Sequence, residues 1–211
     1  MSNPTTYQAL RIGLTGGIGS GKSRVGKVLE ALGHPVYYAD ARAKALMVEN
    51  ERIVAGVKEA FGADAYFPNG SLNRAYLGEK VFGDPAQLQK LNGIVHPETG
   101  RDWVAWDQQR RIEGHRLTFK EAAILYESGA YHGVDQVWTI YAPKRLRLQR
   151  AMRRDDTTES AILQRMGKQI SEQKKLHRAA FAIFSDEVHH LLPQVRAALA
   201  SVREVARGEG E

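Results

Sequence analysis

The feature that most constrains this chain is a glycine-rich segment close to its start. Residues 16–23 read Gly-Gly-Ile-Gly-Ser-Gly-Lys-Ser and satisfy the motif G-x-x-x-x-G-K-[ST] in full. A short apolar run, Leu10 to Thr15, comes before the segment and predicts a buried strand, and apolar residues at helical spacing follow it. A strand, a glycine-rich turn and a helix in this order predict a phosphate-binding loop. A glycine-rich turn without a ligand is the alternative.

The residue types in this motif explain its chemistry. Glycines let successive backbone N–H groups converge on phosphate oxygens, where a Cβ atom would obstruct them. We expect Lys22 to reach the β- and γ-phosphates and the Ser23 hydroxyl to ligate Mg²⁺. A dinucleotide site is excluded because the pattern G-x-G-x-x-G lacks its third glycine, so ATP or GTP is expected. The predicted nucleotide-binding residues of the loop are Gly16, Gly17, Ile18, Gly19, Ser20, Gly21, Lys22, Ser23 and Arg24.

The composition limits which cell compartment and which class of binding partner are expected. The 211 residues include 30 Lys or Arg and 24 Asp or Glu, a net charge of +6, which favours an anionic partner: nucleic acid, acidic lipid or a phosphorylated small molecule. Cysteine is absent, which excludes disulfides and a thiol nucleophile and fits a reducing compartment. The first ten residues are polar and no apolar run is long enough to span a membrane. We therefore expect neither a signal peptide nor a membrane span, and the charge alone does not choose among the three partners.

The order of strand and helix patterns predicts an α/β fold. Five segments have strand character: residues 10–15, 36–39, 117–125, 137–142 and 181–184. Helical patterns separate them, with one helix expected from Pro143, another capped by Thr158, and a last one over 191–205. This alternation favours a mostly parallel sheet covered on both faces. Residues 45–114 carry no strand pattern and predict a helical insertion, interrupted by breakers such as His96-Pro97.

Several motifs in the family's order make the chain resemble the dephospho-CoA kinases. Leu-Thr-Gly-Gly-Ile-Gly-Ser-Gly-Lys-Ser at 14–23 is similar to the opening of that family. The similarity continues through Leu32-Gly33, Ala39-Asp40, Phe61-Gly62, Leu72-Asn73-Arg74, Leu77, Val81-Phe82, Leu91-Asn92, His96-Pro97, Leu125-Tyr126-Glu127, Arg150, Arg154-Asp155 and Gln169. The resemblance implies transfer of the γ-phosphate of ATP, with Mg²⁺, to the ribose 3′-hydroxyl of dephospho-CoA.

The resemblance also implies an architecture. It predicts one three-layer P-loop kinase domain over 1–211 with a five-stranded parallel sheet. Its core would span about 8–44 and 115–211, a helical acceptor-binding insert about 45–114, and a lid about 150–175. With this interpretation we expect a cytoplasmic monomer or small homo-oligomer that binds neither nucleic acid nor a membrane.

Some positions depart from the family pattern. Tyr38 stands where the family has the first carboxylate of Asp-x-Asp, so Asp40 alone remains. Arg147 stands where a Gln is common. Ser185-Asp186-Glu187 replaces an Asn-x-Gly segment that cradles adenine in the family, which affects contacts to the base more than phosphoryl transfer.

Asp40 is the predicted catalytic base. It ends the predicted second strand, at the edge of an open α/β sheet where ligands bind. There it would accept the proton of the 3′-hydroxyl or orient that group. Aspartate is also a good N-cap, so capping of the next helix is the alternative, and both roles are compatible.

The basic segment 144–154 holds six cations: Lys144, Arg145, Arg147, Arg150, Arg153 and Arg154. Arg147, Arg150 and Arg154 share one helical face. A solvated basic helix and a nucleic-acid patch are the alternatives, although no aromatic residue suited to base stacking is interleaved. Beside a phosphate loop we favour a lid in which Arg150 and Arg154 stabilise the transferring phosphoryl group, and Arg147 has no assigned role.

Four further residues are predicted to serve the acceptor. Arg74 would hold an acceptor phosphate, with a surface salt bridge as the alternative. His96, next to Pro97, would contact the acceptor or cap a helix, and Glu127 would order the Mg²⁺ shell or the edge of the site.

Another small-molecule or nucleotide kinase, or a P-loop NTPase switch that binds nucleic acid, remains the rival to the dephospho-CoA kinase interpretation.

Overall fold

The computed structural model describes residues 9–207 of the chain. The strands are β1 Leu10–Thr15, β2 Val36–Tyr38, β3 Leu117–Glu121, β4 Gln136–Tyr141 and β5 Phe181–Phe184. The helices are α1 Lys22–Ala31, α2 Ala39–Glu49, α3 Glu51–Phe61, α4 Arg74–Val81, α5 Pro85–Ile112, α6 Lys144–Asp155, α7 Glu159–Gly167, α8 Glu172–Arg178 and α9 Leu191–Arg207.

The strands form one sheet in the order β2-β3-β1-β4-β5. Strand β1 pairs in parallel with β3 and β4, and β4 pairs in parallel with β5. Ile12, Leu14, Phe119, Trp138 and Ile140 are fully buried, as expected for strands that are covered on both faces and therefore read as continuous apolar runs. The predicted α/β class with a five-stranded parallel sheet is confirmed.

Several predicted element boundaries differ from those in the structure, and two of them bear on the site. Strand β3 ends at Glu121 rather than at Leu125, because the chain turns after Ala122 donates its N–H to the carbonyl of Leu14. Leu125 is still fully buried, so its apolar character reflects a core position in a turn. Glu127 consequently lies beyond the strand. Strand β2 ends at Tyr38, and Ala39 begins α2.

The described residues divide into two compact units, one formed by residues 9–37 and 109–207, the other by Tyr38–Gln108. The first unit contains helices that pack beside the sheet: α9 contacts α1 and β5, and α8 contacts β4. The second has its own apolar core, which includes Ile53, Val57, Ala65, Leu46, Phe61, Tyr66, Leu77 and Val95.

Side-chain caps explain where several helices begin. Asn50 accepts hydrogen bonds from the N–H groups of Arg52 and Ile53 at the start of α3. The predicted cap at Thr158 is confirmed, since its hydroxyl accepts from the N–H of Ala161. The break predicted at His96-Pro97 is wrong, because α5 runs through Pro97. Proline removes one hydrogen bond, to the carbonyl of Gly93, and Gly93 is exposed, where water can replace it.

Candidate active site

The glycine-rich loop lies between the central strand β1 and helix α1, and its shape excludes side chains. Gly19 has φ of +76°, and a Cβ atom there would lie 2.1 Å from the backbone carbonyl oxygen of Arg147. Gly16 has φ of +151°, and its Cβ would lie 2.3 Å from the carbonyl oxygen of Ile140. Neighbouring backbone therefore packs so closely on the loop that these two positions require glycine. The glycine spacing of the motif fits a polyphosphate bound by backbone N–H groups.

Lys22 and Ser23 begin helix α1. The buried Lys22 ammonium donates to the carbonyl oxygens of Gly16 at 3.1 Å and Gly17 at 3.4 Å, so it spans the mouth of the loop. Ser23 and Arg24 are exposed in the first helical turn. A single hydroxyl oxygen combined with substrate phosphates is a donor set that Mg²⁺ uses, so Ser23 fits the predicted role.

Helix α6 packs against the loop through Arg147, to which the sequence assigned no role. Its Nε donates to the carbonyl of Ala142 at 3.1 Å, and its Nη1 lies 3.6 Å from a carboxylate oxygen of Glu172. A Cβ built on Gly17 would lie 2.0 Å from that Nη1. Only 9% of the Arg147 side chain is exposed, so this guanidinium is a nearly buried cation directly on the loop. In the sequence, the only indication that Arg147 lies at the site was the helical face that it shares with Arg150 and Arg154.

The segment before and within α8 also reaches the loop. The N–H of Gly17 donates to Glu172 Oε2 at 3.3 Å, and the N–H of Ile18 donates to Gln169 Oε1 at 3.0 Å. These two side chains therefore hold loop amides that belong to the phosphate motif. Glu172 was missed by the sequence analysis because no local pattern links it to a loop about 150 residues away.

Glu127 belongs to a network of charged side chains that also includes Glu172. Its Oε1 accepts from the N–H of Ile170 at 2.9 Å and lies 3.8 Å from the Lys175 ammonium. Lys175 is fully buried and also lies 3.3 Å from Glu172. Glu127 therefore contacts the C-terminal end of the 150–175 segment, at Ile170 and Lys175.

Arg150 and Arg154 have different partners despite sharing a helical face. Arg150 donates to the carbonyl of Ser185 at 2.8 Å and to Glu187 Oε1 at 3.1 Å, and a Cβ on Gly21 would lie 3.9 Å from its Nη1. Arg154 donates to Asp155 at 2.6 Å and 3.0 Å. Hydrogen bonds from Arg154, and then from Arg165, hold the pKa of Asp155 well below its usual range.

The segment after β5 is fixed by its own side chains. Asp186 accepts from the N–H groups of Val188 at 3.1 Å and His189 at 3.0 Å, and its other oxygen lies 2.9 Å from His189 Nδ1. The backbone N–H of His189 is the largest cause that lowers the pKa of Asp186 to about 2. Glu187 has φ of +70°, in the region that favours glycine. Glycine is also the residue that the family's Asn-x-Gly pattern has at this position.

The predicted acceptor residues lie in the Tyr38–Gln108 unit. Asp40 is exposed in the first turn of α2, and Tyr38 is the N-cap, so the alternative in which Asp40 caps the helix is wrong. Arg74 is the exposed first residue of α4. His96 and Pro97 lie within α5. Desolvation lowers the pKa of His96 below 6.5, and the Asp40 carboxylate opposes that shift.

Two other features are absent from residues 9–207. In that range no helix is both long and apolar enough to cross a membrane. The same residues contain no group of three His, Asp or Glu side chains that could hold a metal ion by itself.

The sheet order, the loop after its central strand and the lysine across that loop define a P-loop kinase. The family model described as dephospho-CoA kinase matches residues 10–189. The chain belongs to the dephospho-CoA kinase family, as the sequence resemblance predicted.

Individual relatives agree with this assignment. A dephospho-CoA kinase from Salinibacter ruber is 41% identical over 175 residues, which cover 83% of this chain and 88% of the relative. Among solved structures, TT1252 from Thermus thermophilus is 31% identical with a TM-score of 0.76, covering 94% of this chain and 98% of that one. A dephospho-CoA kinase from Campylobacter jejuni is 26% identical with a TM-score of 0.66, covering 95% and 98%.

Proposed function

We propose that this protein transfers the γ-phosphate of ATP to the ribose 3′-hydroxyl of dephospho-CoA, giving coenzyme A and ADP. The observation that carries the proposal is the complete phosphate loop, with the Lys22 ammonium across its mouth, in a chain of this family. Phosphoryl transfer needs positioning and neutralisation of charge more than covalent chemistry from the protein. A loop of converging N–H groups with a fixed ammonium supplies both.

Ser23 is the proposed Mg²⁺ ligand within the chain. When bound, the ion would neutralise part of the charge on the β- and γ-phosphates. The exposed hydroxyl in the first turn of α1 supports this role. Arg24, exposed beside it, is proposed to contact the nucleotide.

Asp40 is the proposed base. Because Tyr38 rather than Asp40 occupies the N-cap, the carboxylate of Asp40 is not required to cap α2. Its role would be to accept the 3′-hydroxyl proton as the oxygen attacks the γ-phosphorus. Arg74, His96 and Pro97 are proposed to hold the acceptor. The lowered pKa of His96 favours a neutral imidazole, which can accept or donate a hydrogen bond without adding a fixed charge.

The 150–175 segment is the proposed lid. Arg150 is supported as a phosphoryl-stabilising residue by its position near Gly21, and Arg154 would exchange Asp155 for phosphate. Glu127 is proposed to act at the edge of the site by holding the lid base through Lys175 and Ile170. We also propose a cytoplasmic monomer or small homo-oligomer without a nucleic-acid partner, since the absence of cysteine fits a reducing compartment.

The test of this proposal is Asp40→Asn. The amide keeps the size of the side chain but is no base, so acceptor-dependent ADP formation should fall by about 10²–10⁴-fold. ATP affinity and the melting temperature should stay close to wild type, because the loop is unchanged. Asp64→Asn, an exposed aspartate in the same unit, is the matched control and should keep full activity. Transfer at the wild-type rate by Asp40→Asn would overturn the assignment of the base.

A further inference from the structure

The carbonyl groups that hold the Lys22 ammonium belong to two consecutive peptide groups of the phosphate loop. Lys22 Nζ donates to the carbonyl oxygens of Gly16 at 3.1 Å and Gly17 at 3.4 Å. The peptide group that contains the Gly16 carbonyl also contains the Gly17 N–H, and the next one joins the Gly17 carbonyl to the Ile18 N–H. Because a peptide group is planar, a contact that fixes its N–H also fixes the direction of its C=O.

Both of these N–H groups are bound by side chains. The N–H of Gly17 donates to Glu172 Oε2 at 3.3 Å, and the N–H of Ile18 donates to Gln169 Oε1 at 3.0 Å. Glycine has the least restricted backbone torsions of any residue, so peptide groups beside the loop glycines rotate easily unless contacts hold them. Each of the two peptide groups is therefore held on both sides, by a side chain at its N–H and by Lys22 at its C=O.

Gln169 is also fixed to the turn that follows strand β3. Its Nε2 donates to the carbonyl of Ala123 at 2.8 Å, and the next residue, Ile170, donates its N–H to Glu127 Oε1 at 2.9 Å. The side-chain amide fits only one way round, because its oxygen must face the Ile18 N–H and its NH₂ group must face the Ala123 carbonyl. Gln169 therefore ties the phosphate loop to the turn after β3.

Glu172 is held in place by two buried cations. Its carboxylate lies 3.3 Å from the fully buried Lys175 ammonium and 3.6 Å from Arg147, whose side chain is only 9% exposed. Loss of a carboxylate from a nearly buried cation is costly, so these contacts keep Glu172 beside the Gly17 N–H.

We propose that Gln169 and Glu172 are positioning residues for phosphoryl transfer, which act by fixing the two peptide groups whose carbonyls hold the Lys22 ammonium. This inference deepens the proposed function and depends on it, because Lys22 is the cation expected at the β- and γ-phosphates. An ammonium has three donors, so two fixed carbonyls limit the directions in which it can donate to a phosphate. Donors that are already oriented stabilise the transition state without reorganisation, so a loosened peptide group should lower turnover through Lys22.

The test is a double-mutant cycle between Gln169 and Lys22. Gln169→Leu removes both hydrogen bonds of the side-chain amide, and turnover should fall about threefold to tenfold, the loss expected for one net hydrogen bond. In the Lys22→Ala background the same change should lower the residual turnover less than about 1.5-fold, because the residue through which Gln169 acts is already missing. Gln173→Leu, an exposed glutamine in α8, is the matched control and should keep full turnover. Equal losses in both backgrounds, or no loss in folded Gln169→Leu, would overturn the inference.

Two replacements of Glu172 separate its hydrogen bond from its charge. Glu172→Gln and Glu172→Leu both remove the charge that faces Lys175 and Arg147, but only the glutamine keeps an acceptor for the Gly17 N–H. Turnover should therefore be about threefold or more higher in Glu172→Gln than in Glu172→Leu. Equal turnover of the two folded variants would contradict the role of Glu172.

A measurement on the wild-type protein tests the Gln169 contact without any substitution. NMR should detect a scalar coupling across the hydrogen bond between the Ile18 amide nitrogen and the Gln169 side-chain carbonyl carbon, and the coupling should persist when a non-hydrolysable ATP analogue binds. A coupling that disappears with the analogue would overturn the inference. If the wild-type protein transfers no phosphate to dephospho-CoA, the proposed function fails and this inference fails with it. Normal wild-type transfer with equal losses in the two backgrounds contradicts the inference alone.

Discussion

Arg150 Nη1 donates a 2.8 Å hydrogen bond to the backbone carbonyl of Ser185, which joins helix α6 to the end of strand β5. The same guanidinium donates to Glu187 at 3.1 Å. Glu187 is held at φ +70°, where a residue with a Cβ atom is strained. The partner of Arg150 therefore stands at a backbone position suited to glycine.

Replacing Glu187 by glycine should stabilise the fold relative to replacing it by alanine. Both changes remove an exposed ion pair, which contributes at most about 1 kcal/mol, but only Glu187→Gly relieves the backbone strain. We expect Glu187→Gly to exceed Glu187→Ala by about 1–2 kcal/mol in the free energy of unfolding, measured by urea denaturation. Equal stabilities would show that the position carries no strain.

Alanine at Gly19 should damage both stability and nucleotide binding. Its Cβ would lie 2.1 Å from the Arg147 carbonyl oxygen, so α6 must move off the loop. Gly33→Ala is the matched control, because Gly33 also has positive φ, +85°, and no described atom lies within 4 Å of its Cβ position. Both variants should lose about 1–2 kcal/mol from strain, whereas only Gly19→Ala should lose more and bind ATP at least about tenfold more weakly. Calorimetry and thermal melting decide this, and identical behaviour of the two variants would contradict it.

His96 should make stability depend on pH in a defined direction. Desolvation lowers its folded-state pKa below the unfolded value of about 6.5, so protonation favours the unfolded state. Above about pH 6.5 the imidazole is neutral in both states, so His96 does not destabilise the fold there. The free energy of unfolding then falls as the pH drops from about 6.5 through the folded-state pKa. Asp40 opposes the shift, so Asp40→Asn should lower the His96 pKa further, as NMR titration of the imidazole would show. A His96 that titrates at or above 6.5 would refute this.

Removal of the Lys22 ammonium should abolish efficient transfer. Its hydrogen bonds go to two loop carbonyls, so Lys22→Ala should fold, while turnover falls at least about a hundredfold because one preorganised donor to the phosphates is lost. Lys27→Ala, an exposed lysine on the same helix, is the control and should retain full turnover. A coupled ADP-release assay measures both, and near-normal turnover in folded Lys22→Ala would remove Lys22 from the mechanism.

Local patterns were sufficient to predict the phosphate loop and the sheet. The glycine spacing of residues 16–23 and the apolar run 10–15 each encode a backbone requirement that acts over a few residues. The boundaries at Glu121 and Ala39 were missed because buried apolar residues such as Leu125 have the same composition in a strand and in a core turn.

The contacts of Arg147 show what local patterns cannot predict. Periodicity places it on a helical face with Arg150 and Arg154, but its ion pair with Glu172 joins residues 25 positions apart on separate helices. Such a pairing depends on how α6 and α8 pack against the loop. The same reason explains why Glu127 meets Lys175 rather than standing at a strand end.

The most direct test of the account is the product that the wild-type protein forms from ATP and dephospho-CoA. Mass spectrometry and NMR should show one phosphate added at the ribose 3′-hydroxyl, with one ADP released for each molecule of product. A dephospho-CoA analogue that lacks the 3′-hydroxyl should give no product and no ADP above background. ADP release that is independent of the acceptor, or a phosphate on another hydroxyl, would contradict the account.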